Sequence, residues 1–219
     1  MPRPPVKVIV LGSGEGTNFE ALAAAAGIDY TIASVGSDQP EARILDRARR
    51  RGIPTFTCTR RDHPDRAAHD RALARLLASR HPDWIALAGY MRLLGPAVLA
   101  AWPGRIVNIH PALLPAFPGL NTHARALAAG VPEHGSTVHF VTAELDAGPP
   151  ILQGRLKIRP TDTIQSLTHR VKALEHRIYP LALAWLARDR VKMVQGQCWL
   201  DGRPLNTPPS IEEQEPGCC

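Results

Sequence analysis

Arg105-Ile106-Val107-Asn108-Ile109-His110-Pro111-Ala112-Leu113-Leu114-Pro115 is the stretch from which the rest of the chain is best read. Ile106 and Val107 are β-branched strand formers, and the run breaks at Pro111 into a proline-punctuated loop. Asn108 and His110 are therefore expected at the carboxyl end of a buried strand, where open α/β sheets bind their ligands. Side chains alternate along a strand, so Asn108 and His110 face one way while Ile109 packs behind them. A carboxamide that can hold a carbonyl oxygen then shares a wall with an imidazole that can move a proton near neutral pH. A polar strand end with a surface histidine would leave the same pattern, so the pair gains weight only from the rest of the chain.

Upstream, an apolar strand over residues 7–11 runs into Gly12-Ser13-Gly14-Glu15-Gly16-Thr17-Asn18 and an alanine-rich helix to about residue 26. Strand, glycine loop and helix start together suit an anion, because glycines let the backbone approach and the helix start offers free N–H groups. The spacing is Gly-x-Gly-x-Gly and no Gly-Lys-Ser/Thr follows, which disfavours dinucleotide and P-loop readings. Asp38, after a strand over 30–35, reads as the start of a turn. A helix over 41–51 ends at Gly52, a short strand covers 54–57, and a helix with a Leu73, Leu76, Leu77 stripe runs to about residue 80. A buried strand over 83–88 opens into the apolar loop Gly89-Tyr90-Met91-Arg92-Leu93-Leu94, one wall for a flat ligand. Pro96 starts a short helix.

Downstream, a stiff loop reaches Asn121 and a helix opens at His123. A strand over 135–141 follows, then a turn-rich loop holding Glu144 and Asp146. Residues 151–158 alternate like an antiparallel strand, and a final helix is expected with Asp162 as its cap and a bend at Pro180. Strands alternating with helices predict an α/β, Rossmann-like fold: a mostly parallel open sheet, an antiparallel C-terminal part and helices on both faces. Residues 1–203 are expected to form a single catalytic domain, and the polar, proline-rich 204–219 a loose tail.

The 219 residues fit one α/β domain. At 44% hydrophobic and 21% charged the composition is that of an ordinary globular protein, and 5% aromatic residues leave little for stacking nucleic-acid bases. The net charge of +6 favours an anionic small molecule, with Arg47, Arg49, Arg50 and Arg51 read as a solvated helix. Cys58, Cys198, Cys218 and Cys219 have no metal or disulfide spacing, which points to a reducing cytoplasm; no signal segment or membrane span is expected. His110, His123, His134 and His139 lack a zinc motif, so His110 is read as a proton-transfer group and no metal is expected. Asp146 is the preferred acid beside it, because nearby Gly148 lets that loop turn inward; Glu144 is read as solvated.

Taken together, the glycine loop 12–18, Leu87-Ala88-Gly89-Tyr90-Met91-Arg92-Leu93-Leu94, the stretch 108–115, Val138-His139-Phe140-Val141 and Leu145-Asp146-Ala147-Gly148 resemble the phosphoribosylglycinamide formyltransferase family, folate-dependent enzymes of purine synthesis. The resemblance spans residues 8–199. The Asn-x-His and downstream Asp are common to all formyltetrahydrofolate-dependent transferases and hydrolases of this fold; Gly16-Thr17-Asn18 and Glu175-His176 before Pro180 narrow it. It implies that Asn108, His110 and Asp146 are catalytic. Gly16, Thr17 and Asn18 would hold the ribonucleotide phosphate, with Lys172 and Glu175 reaching the ribose and phosphate region. Met91, Arg92, Leu93, Leu94 and Val141 would line the pterin pocket, with Arg66 near the folate's glutamate tail. It also implies 10-formyltetrahydrofolate as co-substrate, glycinamide ribonucleotide as acceptor, a cis Leu114–Pro115 bond, a monomer or homodimer, and no nucleic-acid or membrane partner. Asn121 stands where some members have histidine, and Glu15 in an anion loop must point away from the phosphate. The alternatives are a formyltetrahydrofolate hydrolase, expected to carry a domain before the first strand, another folate-dependent N-formyltransferase, expected to carry one after residue 203, and a non-catalytic folate- or nucleotide-binding module.

Overall fold

Short apolar runs, each long enough for a strand buried on both faces, recur between helices along the first half of the chain. In the computed structural model, which describes residues 4–213, they assemble side by side. The strands are β1 (Val6–Leu11), β2 (Tyr30–Ser37), β3 (Thr55–Thr57), β4 (Trp84–Leu87) and β5 (Ile106–His110). They lie parallel in the order β3-β2-β1-β4-β5. Helices α1 (Thr17–Ala25), α2 (Arg43–Arg50), α3 (Arg66–Ala78) and α4 (Pro96–Ala101) make the crossovers that parallel pairing requires. β1 divides the core by simple alternation. Val6, Val8 and Val10 pack on one face with residues of α1 and α2, whereas Ile9 and Leu11 pack on the other with residues of α3 and α4.

Beyond β5 the direction reverses. α5 (Thr122–Ala129) leads to β6 (Glu133–Phe140), antiparallel to β5, and β7 (Pro150–Lys157) is antiparallel to β6. The long α6 (Ile164–Ala187), with Pro180 inside it, lays Leu167, Val171, Leu174 and Ile178 against this part of the sheet. β8 (Val191–Val194), β9 (Gln197–Leu200) and β10 (Arg203–Pro204) form a separate small antiparallel sheet. The mostly parallel sheet with an antiparallel C-terminal part is the expected fold. The strand order turns around between β1 and β4, and their carboxyl ends, with that of β5, open one crevice.

Two expectations change. The N-cap of α6 is Thr163, whose hydroxyl accepts from Ser166 N–H at 3.2 Å while Ser166 Oγ accepts from Thr163 N–H at 2.9 Å. Asp162 instead accepts from Arg159 N–H and Ser166 Oγ, both at 2.8 Å. Either side chain is a competent cap, and reach to the third helical N–H decides between them. Second, the supposed loose tail is built in as far as residue 213. β11 (Ser210–Glu212) pairs parallel to β7, flanked by Gln153 N–H to Pro209 O at 3.0 Å and Glu213 N–H to Arg155 O at 2.8 Å. Backbone pairing on an open strand edge needs no apolar pattern, so composition gave the wrong expectation. Residues 214–219, with Cys218 and Cys219, lie outside the described residues; Cys58 and Cys198 are buried free thiols.

Candidate active site

β5 is held between β4 and β6, with Leu87 opposite Asn108 on one side and His139 opposite Asn108 on the other. Asn108 and His110 emerge together into a cleft of about 580 Å³, as alternation requires. Asn108 Nδ2 lies 3.2 Å from His139 Nε2, and His139 Nδ1 lies 2.8 Å from the Phe140 carbonyl. Burial pushes the His139 pKa down to about 4, so the ring is neutral at ordinary pH. Its one proton then sits on Nδ1, donated to Phe140, and Nε2 accepts from Asn108. This fixes which end of the carboxamide faces His139 and leaves the second Nδ2 proton for the cleft. His139 stood in the sequence only as one of four clustered histidines; its pairing opposite Asn108 carries the signal, and that needs the strand register.

His110 is 5% exposed. Its Nδ1 lies 3.3 Å from Asp146 Oδ2 and its Nε2 2.9 Å from the Phe117 carbonyl. Both ring nitrogens face acceptors, so this arrangement is complete when both carry protons. Asp146 Oδ2 also accepts from Gly119 N–H at 2.8 Å, and Oδ1 lies 3.8 Å from His139 Nε2. Asp146 has φ 52°, the left-handed conformation that turns its carboxylate inward, while Glu144 is exposed on the rim. The loop after β5 thus supplies two partners of the site, Phe117 O and Gly119 N, and its Leu114–Pro115 bond is cis.

At one end the cleft is polar. Glu175, 2% exposed, accepts at Oε2 from Asn18 Nδ2 at 2.8 Å and Lys172 Nζ at 2.7 Å. Ser136 Oγ donates to the His110 carbonyl at 2.7 Å and lies 3.3 Å from Glu175 Oε1, joining this end to β5. Nearby, His123 and His134 are 3.0 Å apart; burial lowers both pKa values, that of His134 to about 4. Asn18, Lys172 and Glu175 line the cleft wall, and Gly16 and Thr17, next to Asn18 in the glycine loop, are not among its lining residues. Glu15 points outward to Arg43 at 3.0 Å.

At the other end the wall is apolar. Met91, Leu93, Leu94 and Val141 line it with Leu145, and Met91 and Leu93 are 66% and 55% exposed. Arg92 Nε donates to Asp38 Oδ2 at 2.9 Å. Asp38 is no mere turn starter: it is buried, also accepts from Ser13 Oγ at 2.5 Å, and Ser13 Oγ accepts from Met91 N–H at 2.8 Å. One carboxylate therefore ties the glycine loop to the apolar wall. Arg66, exposed at the start of α3, lies outside the cleft wall, and Asn121, in the left-handed region with φ 57°, lies on it. Among the described residues no group of three or more His, Cys, Asp or Glu is arranged to hold a metal ion.

Hydrogen-bond donors converging beside a carboxylate suit attack on a carbonyl carbon, and at the switch point of a doubly wound sheet they mark an enzyme of acyl-type chemistry. The comparisons make the class narrower. The chain belongs to the formyl transferase family, whose pattern matches residues 6–183. It is 44% identical over 203 residues to the phosphoribosylglycinamide formyltransferase of Escherichia coli (strain K12), covering 91% of this chain and 96% of that protein. It is 41% identical to the enzyme of the same name from Mycobacterium tuberculosis, covering 88% and 90%. Among solved structures, the Coxiella burnetii phosphoribosylglycinamide formyltransferase in complex with CHES superposes with a TM-score of 0.91 at 45% identity, covering 94% of this chain and 99% of that one.

Proposed function

We propose that this chain transfers the formyl group of 10-formyltetrahydrofolate to the amine of glycinamide ribonucleotide in purine synthesis, giving formylglycinamide ribonucleotide and tetrahydrofolate. The observation that carries this reading is the meeting of Asn108, His110 and Asp146 between a polar end and an apolar wall. The amine nitrogen forms a bond to the formyl carbon, the bond from that carbon to N10 breaks, and one proton passes from the amine to N10. Asn108 donates a hydrogen bond from its second Nδ2–H to the formyl oxygen, where negative charge grows; one such donor contributes roughly 3–4 kcal/mol. His110 adds a second donor once its Nε2–H exchanges the Phe117 carbonyl for that oxygen. Asp146 holds the imidazolium and, through a water, relays the proton.

The polar end takes the ribonucleotide: Lys172 and the N–H groups at Gly16, Thr17 and Asn18 face the phosphate, and Glu175 the ribose hydroxyls. Met91, Leu93, Leu94 and Val141 enclose the pterin with Arg92 at its edge, and Arg66 meets the glutamate tail from outside the cleft. Side chains carry every step, and much of the rate comes from holding two substrates in line. We place the enzyme in the cytoplasm, acting on small molecules; no helix among the described residues is long and apolar enough to cross a membrane. The test is a formyl-transfer assay with both substrates and a control lacking the ribonucleotide. Tetrahydrofolate formed only when the ribonucleotide is present supports the reading, and equal release of formate without it indicates a hydrolase instead.

A further inference from the structure

We infer that Arg47, outside the cleft on α2, is a positioning residue for the phosphate: it sets the peptide planes of the glycine loop so that their N–H groups face the ligand. This rests on the proposed role of that loop. The Gly14 carbonyl accepts from Ile44 N–H at 3.0 Å, and the Glu15 carbonyl accepts from Arg47 Nε at 2.7 Å. Both peptides are trans, and in a trans peptide N–H and C=O point in opposite directions. With both carbonyls drawn to α2, the N–H groups of Glu15 and Gly16 point away from it. α1 contacts α2 and α6, and α6 carries Lys172 and Glu175. No protein acceptor among the described residues takes the N–H groups of residues 15–18. Asn18 Oδ1, in a side chain that is 5% exposed and lines the cleft, is also without a partner.

The loop is pressed onto α2 closely enough for this to matter. Gly16 has φ 77°, and a Cβ there would lie 2.7 Å from Ile44 Cα. Most of the neighbouring charges are paired: Glu15 with Arg43 at 3.0 Å, and Glu20 with Arg51 and, at 3.8 Å, with Arg47. Beside Lys172, what the loop itself offers an anion depends on where its N–H dipoles aim. A guanidinium on the Glu15 carbonyl also polarises that peptide and strengthens the Gly16 N–H as a donor.

The test uses the full chain with Arg47→Met, Arg47→Gln and Arg43→Met. Glutamine is the informative variant, because its Nε2 is the same number of bonds from Cα as the arginine Nε that makes the contact. Arg47→Met should raise KM for glycinamide ribonucleotide about tenfold, the size of one charge-assisted hydrogen bond, with kcat and the folate KM within about twofold. Arg47→Gln should recover to within about threefold of the parent, and Arg43→Met, which removes a neighbouring charge without touching the backbone, should stay within about twofold. An unchanged Arg47→Met overturns the inference. So does Arg47→Gln as impaired as Arg47→Met, which would mean a charge effect. A fall of melting temperature and of both substrate affinities together would mean a structural role and also overturns it. Glycinamide riboside, lacking the phosphate, separates the two levels. If the parent enzyme turns over riboside and ribonucleotide equally well, the phosphate reading of the loop is wrong. If the parent discriminates and Arg47→Met discriminates as strongly, only the role of Arg47 is lost.

Discussion

The two ends of the cleft are built in opposite ways. At the polar end and on β5 beside it, side chains are hydrogen-bonded to one another before a ligand arrives: Glu175 takes Asn18 and Lys172, Ser136 joins Glu175 to β5, and His139 fixes the Asn108 amide. At the apolar end Met91, Leu93 and Leu145 stand more than half exposed, and the anchoring around Met91 runs through its own N–H to Ser13 and through Arg92 to Asp38. Buried polar groups must be paired to be tolerated, and pairing orients them. Exposed apolar side chains have no such requirement, and they gain burial only when a ligand covers them. The polar end, with β5 beside it, is therefore preorganised, and the apolar wall is finished only when something covers it.

The sharpest way to break this contrast is Asp146→Asn, which keeps shape and removes charge. Turnover should fall about 10²–10⁴-fold with both substrate affinities within a few-fold, as for a member of a unit acting in the transition state. His110→Ala should behave alike, and the double variant should be no worse than the poorer single, because the two side chains act together. Near-normal turnover in Asp146→Asn under steady-state assay would rule out the mechanism.

Glu175→Gln should raise KM for the ribonucleotide about 10–100-fold, since Lys172 and Asn18 lose their shared anion, while the folate KM stays put. Equal losses for both substrates would mean that the two ends are not separable.

Acid should lower the stability of the fold through two histidines buried on β6 beside the cleft. The folded-state pKa values of His134 and His139, about 4, lie below the unfolded value of 6.5. The unfolded chain therefore binds more protons between those limits, and stability present above pH 6.5 is lost as pH falls toward 4. By pH 5 each histidine accounts for up to about 2 kcal/mol. Denaturant titrations at pH 7.5 and 5 should show that loss, and His139→Gln should lessen it.

The smallest effect belongs to the exposed wall. Leu93→Ser should weaken folate binding by about 1 kcal/mol, several-fold in KM, and leave stability and the ribonucleotide KM unchanged. A loss of melting temperature would show that Leu93 is already packed.

Most of the fold was legible because burial on both faces of a parallel sheet makes strands such as β1 and β4 unbroken apolar runs between helices. Asn108 and His110 were legible for the same reason: alternation alone puts them on one wall. Asp38 does open the turn after β2, as read, but its second task was not legible, because Ser13 and Arg92, which meet it, stand 25 and 54 positions away. His139 depends on register, which no local pattern encodes. For Gly16, Thr17 and Asn18 spacing suggested an anion loop, and it could not tell that of the three only Asn18 lines the cleft.

β11 has a consequence for the life of the protein in a crowded solution. Without it β7 would end the sheet as an eight-residue strand with one row of N–H and C=O groups open to any passing chain. The three residues Ser210–Glu212 fill that row in part, and Glu213 brings a carboxylate to Arg170 beside it. What remains outermost at this edge among the described residues is a strand too short to template another, flanked by charge. A chain cut before Ser210 should keep its catalytic groups and lose its solubility, aggregating through β7 at concentrations where the full chain stays dispersed.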